Sequence, residues 1–530
     1  MEVSNQQNLI NICLETFCSP TRTTFPGLSS YSPSTKSTSA STSKASDNTP
    51  QLLSQCGSSI ITLLSHLSTI IRKHTGNKPL TLQRLDDILS LAKEKIYAFP
   101  YKDVPACWRA LYLEASILKF SGLVVGGFSP LELREKEYQV SEWDGSHDRA
   151  MDQMVETMDM ALIMVGAPAS VSLRLAIECA MDLLQKIHEE IVDEDTPTQP
   201  ATKRRKISSS DSFSDVTFTY QDHFPLSSLE APQLSNPISQ VSSDDLDPNA
   251  DETINNFSNH MHQPQDPSLG AEPLIITSSI ESWPARTQRP WSSPTYLLSQ
   301  TIGGRRLIPI ETGRSYVDTD WGQKILPFKS FMQEYLLLPV SDSPTPRKTT
   351  GYLAQHNLFS QIPTLRNDIR IPDYCYTSPP PPHPSCSPSL KEKYAQTREL
   401  DEPLLNAWFG PPGTISPLHT DPYHNILAQV VGRKYLRLYP PRETPRLYAR
   451  GVEEGGVDMS NTSAVDIGVL AGWDGSETEQ ENERRKFPMV KEARHWDCVL
   501  EEGEVLYIPV GWWHYVRGLS TSFSVSFWWN

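Results

Sequence analysis

The chain has 530 residues, enough for two or three domains. Hydrophobic residues make up 38% and there are 44 prolines, so part of the chain is expected to lack a packed core. A formal net charge of −16 argues against a whole-chain nucleic-acid binder, although an acidic protein can attract a basic protein partner.

Residues 1–50 read as a disordered tail, because 21–50 are dominated by Ser and Thr with little apolar content. From 51 to 192 the pattern is helical. Ile60, Leu63, Leu64, Leu67 and Ile71 share one helical face, as do Leu82, Leu85, Leu89, Ala92 and Ile96, and again Met151, Met154, Met158, Leu162 and Val165. The methionine stripe reads as core packing. Residues 193–280 turn to Ser, Asp, Asn, Pro and Gln and read as a disordered linker. Within it Lys203-Arg-Arg-Lys206 is either a nuclear import signal or a solvated charge run.

Residues 281–530 have another texture. Leu307–Ile310, Ala428–Val431, Tyr435–Tyr439, Val505–Ile508 and Ser522–Trp528 are expected strands between Gly and Pro turns. In the last of these, Ser524 and Ser526 alternate with Phe523, Val525 and Phe527, which predicts one packed face and one open to a polar cavity. Many short strands argue for a sandwich or barrel, and a double-sheet jelly roll fits. The segments 378–399 and 452–495 read as surface insertions. The fold class is therefore α+β and multidomain, a helical domain followed by a jelly roll.

The eight cysteines include no CxxC pair and read as reduced thiols of an intracellular protein. The N-terminus shows no signal sequence, and no run reaches about 18 apolar residues, so no membrane span is expected. The sequon at Asn461 then carries no weight.

Ser416-Pro-Leu-His-Thr-Asp421 is the most informative stretch. On an extended backbone His419 and Asp421 point to one face. Far downstream, Gly503–His514 has a strand, a Pro-x-Gly turn and then a third donor, His514. Two His and one carboxylate cap one face of an octahedral ion and leave the other open, the ligand set of non-haem Fe(II) oxygenases. A lone His-x-Asp arises often by chance; the distal His adds the weight. His424 ranks below these as a rim residue, and His495 reads as surface. Lys434 is the best candidate to bind the far carboxylate of a 2-oxo diacid, with Arg433 alternating to the opposite face.

Asn406–Gly410, Thr414–Pro422, Gly432–Tyr435, Tyr507–Pro509, Trp513–Arg517 and Phe523–Trp529 resemble the JmjC-domain 2-oxoglutarate oxygenases. Gly351–His356 and Ile371–Cys375 match one subgroup of that family. The resemblance implies a double-stranded β-helix with Fe(II) held by His419, Asp421 and His514, and 2-oxoglutarate and O2 as co-substrates. It implies 2-oxoglutarate contacts from Tyr352, Ser416, Asn425 and Lys434, and a substrate pocket lined by Gln355, Trp408 and Trp528.

Within the subgroup it implies a protein substrate, histone, ribosomal or chromatin-associated, modified by arginyl C3-hydroxylation or by demethylation of methyl-lysine. Proteolytic trimming of histone tails has also been proposed for it. Arginyl hydroxylation is the favoured expectation, in the nucleus and also the cytoplasm, with no direct nucleic-acid or membrane partner. The two insertions, with Pro412, Thr420 and Tyr423-His424, depart from the animal pattern and leave the substrate open. The contrasting reading is a non-catalytic partner-binding protein with a vestigial pocket; degenerate members usually lose a ligand, and here all three stand.

Overall fold

The computed structural model describes residues 4–19, 52–100, 103–128, 146–166, 168, 170–194, 222–246, 253–315, 317, 321–337, 350–453 and 456–530. They fall into two compact units: one drawn from Met1–Thr217 with Ser299–Leu307, the other from Phe218–Leu298 with Ile308–Asn530.

The first unit is helical. Its long helices are Ser58–Arg72, Lys78–Tyr97, Ala106–Phe128, Ser146–Val165 and Val171–Glu194. The expected stripes bury Leu64, Leu67 and Ile71, then Leu85, Ala92 and Ile96, then Met151, Met154 and Met158. Asn77 caps the second helix, its side-chain oxygen accepting from the Leu80 amide at 3.0 Å. Ala106–Phe128 is long and apolar enough to cross a membrane by length and composition alone, but 78% of its most apolar 18-residue window is buried inside the protein. Its residues face neighbouring helices, as expected for a core helix apolar nearly all round.

Two expectations for this region are corrected. Residues 5–17 of the presumed tail are helical, with Leu9, Cys13 and Phe17, spaced four apart, fully buried. The Ser/Thr-rich stretch 20–51 lies outside the described residues. The segment Ser299–Leu307 also belongs to the helical unit, where Arg306 pairs with Asp159 at 2.7 Å.

The second unit is a two-sheet sandwich. Its strands are β1 (Gln240–Ser242), β2 (Leu274–Thr277), β3 (Leu307–Thr312), β4 (Gly322–Pro327), β5 (Gly351–His356), β6 (Leu404–Gly410), β7 (Ile415–His419), β8 (His424–Val431), β9 (Lys434–Tyr439), β10 (Trp496–Leu500), β11 (Val505–Ile508), β12 (Trp513–Gly518) and β13 (Ser522–Trp529). The larger sheet runs β1-β2-β11-β8-β13-β6-β5-β3-β4 and the smaller β10-β9-β12-β7. β8 and β13 are buried along their whole length, which fits their central places and their Val, Ile and Phe content.

Between the sheets lies an apolar layer that includes Leu427, Leu436, Leu438, Ile508 and Val516. Phe523, Val525 and Phe527 pack on the outer side of the larger sheet. Ser524 and Ser526 do not open onto a cavity. Ser524 donates to Gln429 Oε1 at 2.7 Å and Ser526 accepts from Trp408 Nε1 at 3.0 Å, so their hydroxyls are consumed in the interior.

The linker expectation fails over its second half. β1 pairs with β2, and β2 pairs with β11, with Ile275 and Ile276 fully buried. The insertions are also more than surface. From 452–495, Val465, Ile467, Phe487, Val490 and Ala493 cover the outer face of the smaller sheet, and in 378–399 Cys386 is buried. Both carry too few apolar residues per stretch to be read as core from composition.

Candidate metal centre and co-substrate pocket

β8 passes to β9 through the corner Gly432-Arg433. Gly432 sits at φ 69°, where a side chain is strained, and a Cβ would also strike the Thr521 carbonyl. This corner moves the chain from one sheet to the other and starts β9 with Lys434 facing inward, while Arg433 turns out to donate to Ser228 Oγ at 2.8 Å.

β7 and β12 carry the candidate metal donors. His419 and His514 are register partners, and so are Ser416 and Val516. Between these pairs Pro417 and Leu418 of β7 therefore oppose Tyr515 of β12 alone. The bulge shifts the phase of β7, so Ser416 and His419, which a regular strand would turn to opposite faces, both line the pocket. Asp421 lies just beyond the strand end.

The three donor groups converge to within 4.8 Å of one another. Nε2 of His514 is 3.4 Å from Asp421 Oδ2, and Nε2 of His419 is 3.8 Å from Asp421 Oδ1. Each imidazole turns Nδ1 to a backbone carbonyl, His419 to Pro417 at 2.6 Å and His514 to Trp512 at 3.1 Å. A carbonyl only accepts, so both Nδ1 atoms carry the proton and both Nε2 lone pairs face the shared centre. Burial, with help from His514, pulls the His419 pKa down to about 4, so it is neutral at pH 7. Burial alone would raise the Asp421 carboxyl, but its two histidine neighbours, His514 first and then His419, outweigh it and hold the carboxyl below its ordinary value. Neutral imidazoles and an ionised carboxylate are the forms a metal requires.

The same pocket is lined by Tyr352, Trp408, Ser416, Asn425, Leu427, Lys434, Ile508 and Val516 and encloses about 360 Å³ including its mouth. Lys434 is 2% exposed, its Nζ 3.3 Å from the Tyr352 hydroxyl, and it forms no ion pair among the described residues. Burial pulls its pKa down to about 7. Burial pushes the Tyr352 hydroxyl up, so it stays a hydrogen-bond donor. The Asn425 side-chain oxygen is buried without a hydrogen-bond partner.

Of the expected site residues, the structure brings together His419, Asp421, His514, Tyr352, Ser416, Asn425, Lys434 and Trp408. Two are placed elsewhere. Gln355 is exposed and sits at φ 48°. Trp528 pairs with Asn425 in register and stacks on Tyr423 at 5.6 Å, outside the pocket lining. His424 is buried on the far face of β8, bonded to the Tyr507 hydroxyl at 2.8 Å and the Pro380 carbonyl at 3.0 Å, so it is neither at the rim nor near the donors. His495, expected at the surface, is only partly exposed and stacks near Tyr439 at 5.4 Å.

Sequence reasoning missed a clamp on the donor loop. The Thr420 amide donates to the Asn461 carbonyl at 2.8 Å, and the Ser463 amide donates to Leu418 at 2.8 Å. The Asn461 side chain donates to the Thr420 carbonyl at 3.2 Å. The sequon set aside above thus pairs with the edge of β7. A pairing over this sequence distance leaves no local signal.

The comparisons agree with this geometry. A cupin-like domain model matches residues 263–530. The lysine-specific demethylase 8 of Danio rerio is 33% identical over 454 residues, 85% of this chain and 88% of that protein. The chain belongs to the cupin-like JmjC-domain family. Lysine-specific demethylase JMJ30 of Arabidopsis thaliana, another JmjC relative, is 43% identical over 262 residues, 49% of this chain and 51% of that protein. A more distant JmjC relative is the human bifunctional peptidase and (3S)-lysyl hydroxylase JMJD7, 24% identical over 269 residues. JmjC enzymes use Fe(II) and 2-oxoglutarate, and membership makes this chain a 2-oxoglutarate-dependent oxygenase.

Proposed function

We propose that His419, Asp421 and His514 hold Fe(II), that Lys434 binds the far carboxylate of 2-oxoglutarate, and that the substrate is an arginyl side chain of a protein, hydroxylated at C3. The observation that carries the co-substrate half is Lys434: a buried amine with no carboxylate beside it, in the same pocket as three metal donors. A buried cation is costly unless an anion pairs with it. On the same wall Tyr352 supplies a hydroxyl and Asn425 a side-chain amide whose oxygen is without a hydrogen-bond partner.

Iron, when bound, supplies the sites and electrons that activate O2 against a C–H bond. The protein's residues do the rest. The carbonyls of Pro417 and Trp512 fix the two imidazoles, and the Asn461 clamp holds the loop that carries Asp421. Lys434 and Tyr352 orient the co-substrate, and Leu427, Ile508 and Val516 keep water from its carbon chain.

The names of the relatives favour a second reading, removal of a methyl group from lysine. Both outcomes begin with hydroxylation of a carbon, and the shape of the substrate site decides between them. Succinate release from the purified protein tests the co-substrate. Mass spectrometry of arginine-bearing and methyl-lysine-bearing histone and ribosomal peptides then separates the two: gain of one oxygen atom supports hydroxylation, and loss of a methylene equivalent overturns it in favour of demethylation. Nuclear residence rests on Lys203–Lys206, which lie outside the described residues. A quadruple alanine variant that still accumulates in the nucleus would remove that support.

A further inference from the structure

The outer face of the smaller sheet carries a second, half-open cavity, of about 1400 Å³ including its mouth. β9 alternates, so Leu436 and Leu438 face the inter-sheet core while Tyr435, Arg437 and Tyr439 face out. Residues 470–495 fold over that face and contribute Trp473, Phe487, Arg484, Lys491 and His495 to the cavity wall.

The lining contains three cationic side chains, Arg437, Arg484 and Lys491, and no carboxylate, in a chain of net charge −16. Arg437 is partly buried and forms no ion pair among the described residues. Its guanidinium lies 5.0 Å from the Trp473 ring and its Nε donates to the Tyr435 hydroxyl at 3.0 Å. Arg484 has a loose contact with Glu481 at 3.8 Å and a long hydrogen bond to Gln480 Oε1 at 3.5 Å. The acid nearest His495, Asp497 at 3.8 Å, is already engaged by the Ser235 and Asn236 amides and the Tyr435 hydroxyl. His495 Nε2 is buried and has no hydrogen-bond partner. Its ring also donates to the Ala493 carbonyl, so in the neutral form Nε2 is an acceptor in search of an N–H or O–H.

Aromatic walls, three cations and one orphan acceptor describe a ligand with a flat ring, an anionic group and an N–H donor. We propose that this cavity binds a purine nucleoside monophosphate or a close chemical equivalent, with the ring against Trp473 and Arg437, the phosphate toward Arg484 and Lys491, and a ring or amino N–H on His495 Nε2. The site is separate from the metal centre and stands without the functional reading above.

The test is calorimetric titration of the full-length protein with AMP, adenosine and inorganic phosphate. AMP is expected to bind at least about tenfold more tightly than either fragment, and more weakly as salt rises. The double variant Arg484→Glu/Lys491→Glu, at exposed positions, should lose at least about tenfold in AMP affinity. Arg398→Glu, at a side chain 84% exposed, should not change it. Equal binding of phosphate and AMP would overturn the ring half of the proposal, and unchanged AMP binding in the double variant would overturn all of it, as would no binding at millimolar AMP. Lys434→Met guards against binding in the co-substrate pocket: AMP affinity should stay as it is, and its loss would reassign AMP to that pocket.

Discussion

Two buried cations in this protein meet burial in opposite ways. In the helical unit, Arg306 Nε and Nη2 donate to both oxygens of Asp159, which also accepts from the Leu307 amide at 2.7 Å. In the sandwich, Lys434 has the Tyr352 hydroxyl and no carboxylate. The first charge is matched by the fold itself and needs nothing more. The second is left for something outside the chain to match. A paired buried charge reads as architecture; an unpaired one lining a pocket beside metal donors reads as a binding site.

The largest effect is expected at the donor end of the Lys434 pocket. His514→Ala should abolish iron retention after dialysis and with it succinate release, because even residues that merely orient ligands typically account for about 10–100-fold in metal affinity. Circular dichroism should show the fold intact. Retained iron-dependent turnover would mean that another group replaces His514. The next largest effect breaks the architectural pair. Asp159→Ala leaves Arg306 buried and uncompensated, a change that costs about 3–5 kcal/mol. Urea unfolding of the helical unit should move to lower denaturant. A shift below about 1 kcal/mol would place the pair among surface ion pairs and end the contrast with Lys434.

The same contrast explains what could be read from sequence. His419 and Asp421 were legible because two donors two residues apart declare themselves locally, and Lys434 because it opens an alternating strand. β13 was legible through its alternation of Ser with Phe and Val, and β8 only in its second half, through the short run Ala428–Val431. β1 and β2 were hidden because three- and four-residue strands sit in a Ser-, Asp- and Pro-rich stretch whose composition reads as linker. The facing of Ser416 depends on a bulge in β7, and Gln355 leaves the pocket at a left-handed backbone position; neither shows in residue order. The clamp from Asn461 to Thr420 joins distant segments and depends on how 452–495 folds back.

Lys434→Met sharpens the comparison from the other side. Removing an unpaired buried charge should leave stability unchanged or raised, the reverse of Asp159→Ala. The 2-oxoglutarate requirement should rise by roughly 10–100-fold, the value of a charge-assisted bond of about 1.5–3 kcal/mol, while iron binding stays close to that of the parent protein. An unchanged co-substrate requirement would make Lys434 a packing residue.

The smallest expected effect is a pH dependence. Burial lowers the Lys434 pKa to about 7, below its ordinary value of 10.5. Between those values the unfolded chain holds a proton that the folded chain has released. The contribution of this group to stability therefore rises with pH across that window, the opposite of a lysine held charged by an acid. Binding of a dianion runs the other way, since it favours the ammonium form. At pH 7 about half of the unliganded protein carries that charge, and at pH 8 about a tenth does, so 2-oxoglutarate affinity should fall about fivefold over that step. Calorimetric titration with 2-oxoglutarate at the two pH values measures it, and Lys434→Met should flatten the dependence. If affinity instead stays level up to pH 9 in the parent protein, Lys434 is held charged by a partner as Arg306 is, and the two buried cations are alike after all.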